Sequence, residues 1–368
     1  MKRKITINHI NESIIPGGST IPFNDLSNKS SEAYLIELFP QVSRTFALTV
    51  PQLPPPLRRV VMNAYLLARV ADTIEDDIAL TLEQKRHYGE TLIEIIADKA
   101  KADDFSQELA PLLSLRTPEA ERELVKRLPW VIAITRSFSE VQQRSIERCI
   151  RVMWNGMYNF LQRTGLRGLD TLDDLNEYCY HAAGVVGEML TELFCDYSSE
   201  IAKQEVAMKK LAISFGRGLQ ITNILYDHWE DRKEGLCWLP RDIYGAHDVL
   251  LDNLRPEHYN TSYMEAQSKL IGIAHAYLRQ ALRYILLIPA SEPGIRRFCY
   301  WTVYLSVLAL HRICNKPDFS NNAEIKVPRS QILTMILFTR LFGAGDTVLK
   351  GLFERIAKNI PLNNLSSY

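Results

Sequence analysis

The chain has 368 residues, 46% of them hydrophobic and 23% charged, and its 43 basic and 43 acidic side chains cancel to a formal charge of zero. A neutral balance without a basic tract excludes an extended nucleic-acid surface. No Pro/Gly/Ser-rich linker interrupts residues 31–360, so one large domain with ample core is expected, and the six cysteines, without Cys-x-x-Cys spacing, read as reduced core thiols.

In chain order, residues 1–30 are polar, contain Pro16-Gly17-Gly18 and offer no apolar segment of the secretory kind, so a flexible leader is expected. Apolar residues then recur with helical period over 57–78, 136–163, 172–197, 205–231, 265–288 and 295–314, which predicts an all-α fold. Breaks are expected at Pro51-Gln52-Leu53-Pro54-Pro55-Pro56, at 165–168, at 235–240 and at 289–293. Several helices are apolar around much of their circumference, so a central helix ringed by others and lining a deep apolar cavity is expected. The longest apolar run, Phe298 to Leu310, falls short of the roughly 20 residues that span a bilayer. A cytoplasmic location is therefore expected, with peripheral membrane contact left open. Residues 331–360, with Leu333, Leu337, Leu341 and Phe342, predict a final helix covering the core; a membrane foot is the alternative.

Two acidic clusters, Asp72-Thr73-Ile74-Glu75-Asp76 and Asp227-His228-Trp229-Glu230-Asp231, stand 155 residues apart, each ending an apolar helical run. Residues i, i+3 and i+4 share a helix face, so Asp72, Glu75 and Asp76 project together, as do Asp227, Glu230 and Asp231. Hard oxygen ligands suit Mg²⁺, held by a few carboxylates, waters and substrate phosphates, which points to a diphosphate substrate. The same spacing recurs at Asp170/Asp174, where a helix start is expected to use the acids as caps. Asp248 and Asp252, beside Gly245 and Pro256, read as solvated surface.

The flanking residues carry a resemblance. Ser43-Arg44-Thr45-Phe46-Ala47 precedes Tyr65-Leu66-Leu67-Ala68-Arg69-Val70-Ala71-Asp72, and Tyr178-Cys179-Tyr180-His181-Ala182-Ala183-Gly184-Val185-Val186-Gly187 precedes Leu219-Gln220-Ile221-Thr222-Asn223-Ile224-Leu225-Tyr226-Asp227. Over residues 31–315 the chain resembles the squalene/phytoene synthases, head-to-head prenyltransferases, and is most like a bacterial-type squalene synthase. The resemblance implies an isoprenoid (terpenoid) synthase fold, Mg²⁺, and condensation of two allylic prenyl diphosphates, with residues 316–368 as a helical segment packed on the same domain.

By resemblance, Asp72, Glu75 and Asp76 hold metal on one wall and Asp227 and Asp231 on the other, with Glu230 in support. Arg69, Arg44 and Ser43 are candidates for diphosphate contact, with salt bridging the other role open to the two arginines. Gln220 and Asn223 share a face that could meet substrate, or serve structure alone. Phe46 and Tyr65 are candidates to stabilise a carbocation through their ring faces, against core packing as the alternative. Gly184 and Gly187 allow close helix approach, with substrate clearance as a consequence.

Two departures stand out. Eukaryotic squalene synthases usually have Tyr where this chain has His181, while Tyr180 takes the preceding position; His181 is a candidate acid or base, or a buried His held by a carbonyl. Tyr226 stands where family members often have Arg or Lys, a lost cation for which Arg217, Arg232 or Lys233 could compensate. Farnesyl diphosphate is the expected substrate and squalene the expected product, with NADPH as reductant. Lys326 and Arg329 fall where the resemblance puts cofactor-phosphate contacts, and a surface basic pair is their alternative. A reductant-free dehydrosqualene, phytoene or presqualene diphosphate synthase, and a non-catalytic relative acting as a binding or assembly factor, are the competing readings.

Overall fold

A computed structural model describes residues 31–43, 45–163 and 165–365. The expectation of a flexible leader over residues 1–30 and the candidate Arg44 lie outside the described residues.

Helices follow one another along the chain. α1 (Ser31–Ser43) and the short α2 (Phe46–Thr49) lead through a turn at Val50–Gln52 into α3 (Pro55–Asp76). The Pro-rich break therefore ends as a helix start, because Pro55 and Pro56 pre-set the backbone angle of a first turn whose N–H groups need no partner. The next helices are α4 (Leu82–Ile96), α5 (Ala102–Leu109), α6 (Glu119–Lys126) and α7 (Leu128–Arg136); α4, α6 and α7 pack on the first acidic helix, and α5 packs behind them. α8 (Glu140–Leu161) opens on a capping box between Ser139 and Gln142. α9 (Leu172–Cys179) opens on another, Thr171 with Asp174, which bears out the capping role expected of that acidic repeat.

A π-helical turn, Tyr180–Gly184, joins α9 to α10 (Val185–Tyr197), and α11 (Ser199–Ala202) leads to the 29-residue α12 (Glu205–Lys233). The remaining helices are α13 (Arg241–Gly245), α14 (Thr261–Leu287), α15 (Pro293–Asn315), α16 (Arg329–Leu341) and α17 (Asp346–Ala357). Among the described residues no strand forms; a lone β-bridge joins Leu169 and Pro240.

α12 is the expected central helix, packed against α10, α14, α15 and the π turn. The approach is close. A Cβ at Gly216 would stand 2.4 Å from the Ala183 carbonyl oxygen, and one at Gly187 2.5 Å from that of Ala212, so only glycine lets these backbones touch. The chain end folds differently from the single helix expected over 331–360. Two helices form, separated at Gly343, whose φ of +74° suits a residue without Cβ. α17 buries Leu349 and Phe353, whereas α16 buries Ile332, Met335 and Thr339 and leaves Leu333, Leu337, Leu341 and Phe342 exposed. Both rest on α15: the Trp301 indole N–H donates to Thr339 at 2.9 Å and the Tyr300 hydroxyl to the Leu349 carbonyl at 3.0 Å. All six cysteines are free thiols, and burial pushes that of Cys149 up to about 12.

Candidate active site

The two acidic helix ends meet across one polar cleft of about 720 Å³. Thr73 and Asp76 come from the end of α3, Asp227, Glu230 and Asp231 from the end of α12, and Asn322 from the loop before α16. Arg116, Thr117 and Lys233 add donors and positive charge to the lining. Sequence reasoning missed Arg116, Thr117 and Asn322. The one local hint was Asp77, directly after the first cluster. It is buried, and its carboxylate accepts from Ser114 N at 2.8 Å and Thr117 Oγ1 at 2.6 Å, tying the 113–118 loop to the end of α3.

Below the rim, the first wall is built around a buried cation. Arg69 is 2% exposed, pairs with Asp72 at 3.3 Å and donates to the Tyr65 hydroxyl at 2.7 Å. Burial works against its charge, yet the Tyr65 oxygen, Asp72 and Glu121 outweigh that and raise its pKa above the ordinary range. Tyr65 in turn donates to the Val42 carbonyl at 3.1 Å and packs its ring against Phe46, centroids 5.2 Å apart. Asp72, Arg69, Tyr65 and Phe46 thus form a graded path from carboxylate to hydrocarbon. Glu75 is 1% exposed and does not line the cleft; its carbonyl takes the Lys85 ammonium at 2.5 Å.

Phe46 marks the start of a second, apolar cavity, walled by Ala183, Gly187 and Leu190, by Phe215 and Leu219 of α12, and by Phe298 and Cys299 of α15. Its open volume is about 60 Å³, too narrow for an extended isoprenoid chain without movement of the lining side chains. Gln220 and Asn223 lie on α12 seven and four residues before Asp227, hence on its face. Asn223 is 7% exposed and its Oδ1 is a buried acceptor without a hydrogen-bond partner. Ser43 is wholly buried and its hydroxyl likewise has none.

Other candidates are placed elsewhere. His181 turns towards α8: its Nδ1 meets the Val152 carbonyl at 3.1 Å, and its ring fills the space a Cβ on Gly156 would need. Tyr180 donates to Glu188 at 3.2 Å, in a group completed by Arg148. Neither residue lines the polar cleft or the apolar cavity. Arg232, a candidate replacement cation, is instead committed to the loop after α13, donating to the Leu254 carbonyl at 3.0 Å and to those of Leu166 and Asp252 at 3.3 Å. Arg217 donates to the Asn176 carbonyl at 3.1 Å; only Lys233 of the three lines the cleft. Lys326 and Arg329 are exposed and line neither cavity. Asp248 and Asp252 are exposed, as expected of solvated surface.

A family model described as squalene/phytoene synthase matches residues 39–331. The chain belongs to the squalene/phytoene synthase family. It is 26% identical over 309 residues to the squalene synthase of Cyberlindnera jadinii, covering 83% of this chain and 66% of that protein. To squalene synthase 1 of Arabidopsis thaliana it is 30% identical over 263 residues, covering 70% and 59%. It therefore spans less than two thirds of these relatives' length. A solved TcSQS–ligand complex superposes with a TM-score of 0.69 at 22% identity, covering 91% of this chain and 94% of that one, and the fold is the all-α isoprenoid synthase fold.

For a squalene/phytoene synthase, the fit of a divalent cation can be judged from the cleft's donors. Asp76, Asp227, Glu230 and Asp231 offer oxygen alone, the donor set of Mg²⁺. Among the described residues no three acidic, imidazole or thiol groups converge to hold a metal unaided.

Proposed function

We propose that this chain condenses two farnesyl diphosphates head to head, through presqualene diphosphate, to squalene. The observation that supports the reading is the meeting of two acidic helix ends in one polar cleft, Asp76 of α3 with Asp227, Glu230 and Asp231 of α12, and the contact chain Asp72, Arg69, Tyr65 and Phe46 that runs from the end of α3 to the apolar cavity Phe46 lines. Asp76 on α3 and Asp227 and Asp231 on α12 are the proposed Mg²⁺ ligands, with Glu230 in support; Asp72 and Glu75, expected beside them, are buried and line no part of the cleft. Bound there, the ion would neutralise charge growing on the departing diphosphate. Arg69 is buried and held by two partners, so it can meet that charge without reorganising. The first condensation joins two prenyl chains and releases one diphosphate and one proton. Ionisation leaves an allylic cation, and the Phe46 ring, which lines the apolar cavity with Tyr65 packed against it, would offer it a π face while the hydrocarbon wall excludes water. Asn223, Gln220 and Ser43 are the polar groups proposed to orient the diphosphate end.

Reduction to squalene would take its hydride from NADPH. This finer step is supported by the relatives' identity as squalene synthases. Lys326 and Arg329 are exposed and outside both cavity linings, and no step is assigned to them. Among the described residues no helix is long and apolar enough to cross a membrane. The exposed Leu333, Leu337, Leu341 and Phe342 of α16, with Arg340 beside them, support a peripheral membrane contact for oily substrate and product. Diphosphate release from farnesyl diphosphate is the test: it should require Mg²⁺ and vanish in Asp76→Asn and Asp227→Asn. Normal Mg²⁺-dependent turnover in either variant would refute the two-wall mechanism.

A further inference from the structure

The loop at 316–328, between α15 and α16, crosses the end of α12. It is internally braced: Lys316 pairs with Glu324 at 2.7 Å, and Glu324 also accepts from Ser320 Oγ and Asn321 Nδ2, each at 2.7 Å. Phe319 is buried against the His228 ring, centroids 5.1 Å apart, and Ile325 and Val327 are buried below. Two contacts then fix its tip. The Tyr226 hydroxyl donates to the Asn322 carbonyl at 3.1 Å, and Asn322 Nδ2 donates to Asp227 Oδ1 at 2.5 Å. The carboxamide orientation follows from chemistry, since an ionised carboxylate only accepts. Asn322 Oδ1 is buried without a hydrogen-bond partner, and the residue lines the cleft.

We infer that Asn322 is a positioning residue for Asp227, delivered to the acidic cleft by a latch to Tyr226. Tyr226 lies immediately before Asp227, so one helix position holds the loop and the next receives its amide. Fixing a ligand carboxylate by an outer hydrogen bond typically matters tenfold or more to metal affinity. The inference rests on the proposed metal-binding role of Asp227.

Mn²⁺ binding to the full chain, read by electron paramagnetic resonance with inorganic diphosphate and no prenyl substrate, tests it without turnover. Asn322→Ala should weaken Mn²⁺–diphosphate binding by about tenfold or more. Tyr226→Phe, which removes only the hydroxyl, should show part of that loss, and the double variant should match Asn322→Ala alone. Unchanged binding in Asn322→Ala, or losses that add in the double variant, would overturn the latch. Asp227→Asn separates the two levels. If it binds Mn²⁺ normally, the metal reading falls and the latch with it; if it loses binding while Asn322→Ala does not, only the latch falls.

Discussion

Arg69→Met is the perturbation that bears hardest on the first wall. Arg69 and Asp72 are 2% and 3% exposed and stand 3.3 Å apart, so the methionine removes the cation from a carboxylate with little water to replace it. Removing one partner of a buried pair costs about 3–5 kcal/mol. Against a total stability on the order of 5–15 kcal/mol, this is a large fraction. The Tyr65 hydroxyl also loses the guanidinium donor at 2.7 Å. The double variant Arg69→Met/Asp72→Asn removes both charges, and well-packed neutral replacement of a buried pair is often near neutral. Urea unfolding should therefore place the single variant about 3 kcal/mol or more below wild type and the double variant well above the single. Neither should release diphosphate from farnesyl diphosphate. A single variant within about 1 kcal/mol of wild type, or a double variant no better than the single, would refute the buried-pair reasoning.

Three further outcomes follow from the packing. His228 is buried, its Nδ1 donates to the Leu225 carbonyl at 2.8 Å, its Nε2 accepts from the Tyr263 hydroxyl at 3.0 Å, and burial lowers its pKa from 6.5 to about 4. The unfolded chain thus binds the proton more readily, so this contribution is complete above pH 6.5 and lost as pH falls towards 4, about 3 kcal/mol in all. His228→Gln should flatten that part of the pH–stability curve, and an unchanged slope would contradict the assignment. Gly216→Ala puts a methyl 2.4 Å from the Ala183 backbone; it should lower stability by about 1–3 kcal/mol, and a melting temperature equal to wild type would show the contact is looser. Cys299→Phe fills the apolar cavity and should raise the KM for farnesyl diphosphate while diphosphate-directed Mn²⁺ binding persists; an unchanged KM would move the prenyl chain elsewhere.

The helices were legible because their cause is local. Apolar period, caps such as Thr171 with Asp174, and Pro55 at a helix start act within a few residues. The π turn at 180–184 left no such trace, whereas the C-terminal break did leave a local signal, Gly343-Ala344-Gly345-Asp346, that the apolar residues further along each helix outweighed in the reading. The acidic clusters could be read for the same reason that they work, since i, i+3 and i+4 fix their face before any tertiary contact exists. Asn322 and Arg116 could not, because each reaches the cleft on a loop whose path is set by distant anchors, Tyr226 in one case and Asp77 in the other. For His181 the carbonyl-held alternative is the one the structure shows, on α8, and Arg232 likewise meets carbonyls, in the loop after α13.

Product analysis addresses the central claim most directly: purified protein with Mg²⁺ and farnesyl diphosphate, with and without NADPH, and again with geranylgeranyl diphosphate. The account predicts a head-to-head C30 product from farnesyl diphosphate, squalene when NADPH is supplied, and presqualene diphosphate in its absence. Absence of turnover with both substrates, in protein that binds Mn²⁺ and diphosphate, would contradict it.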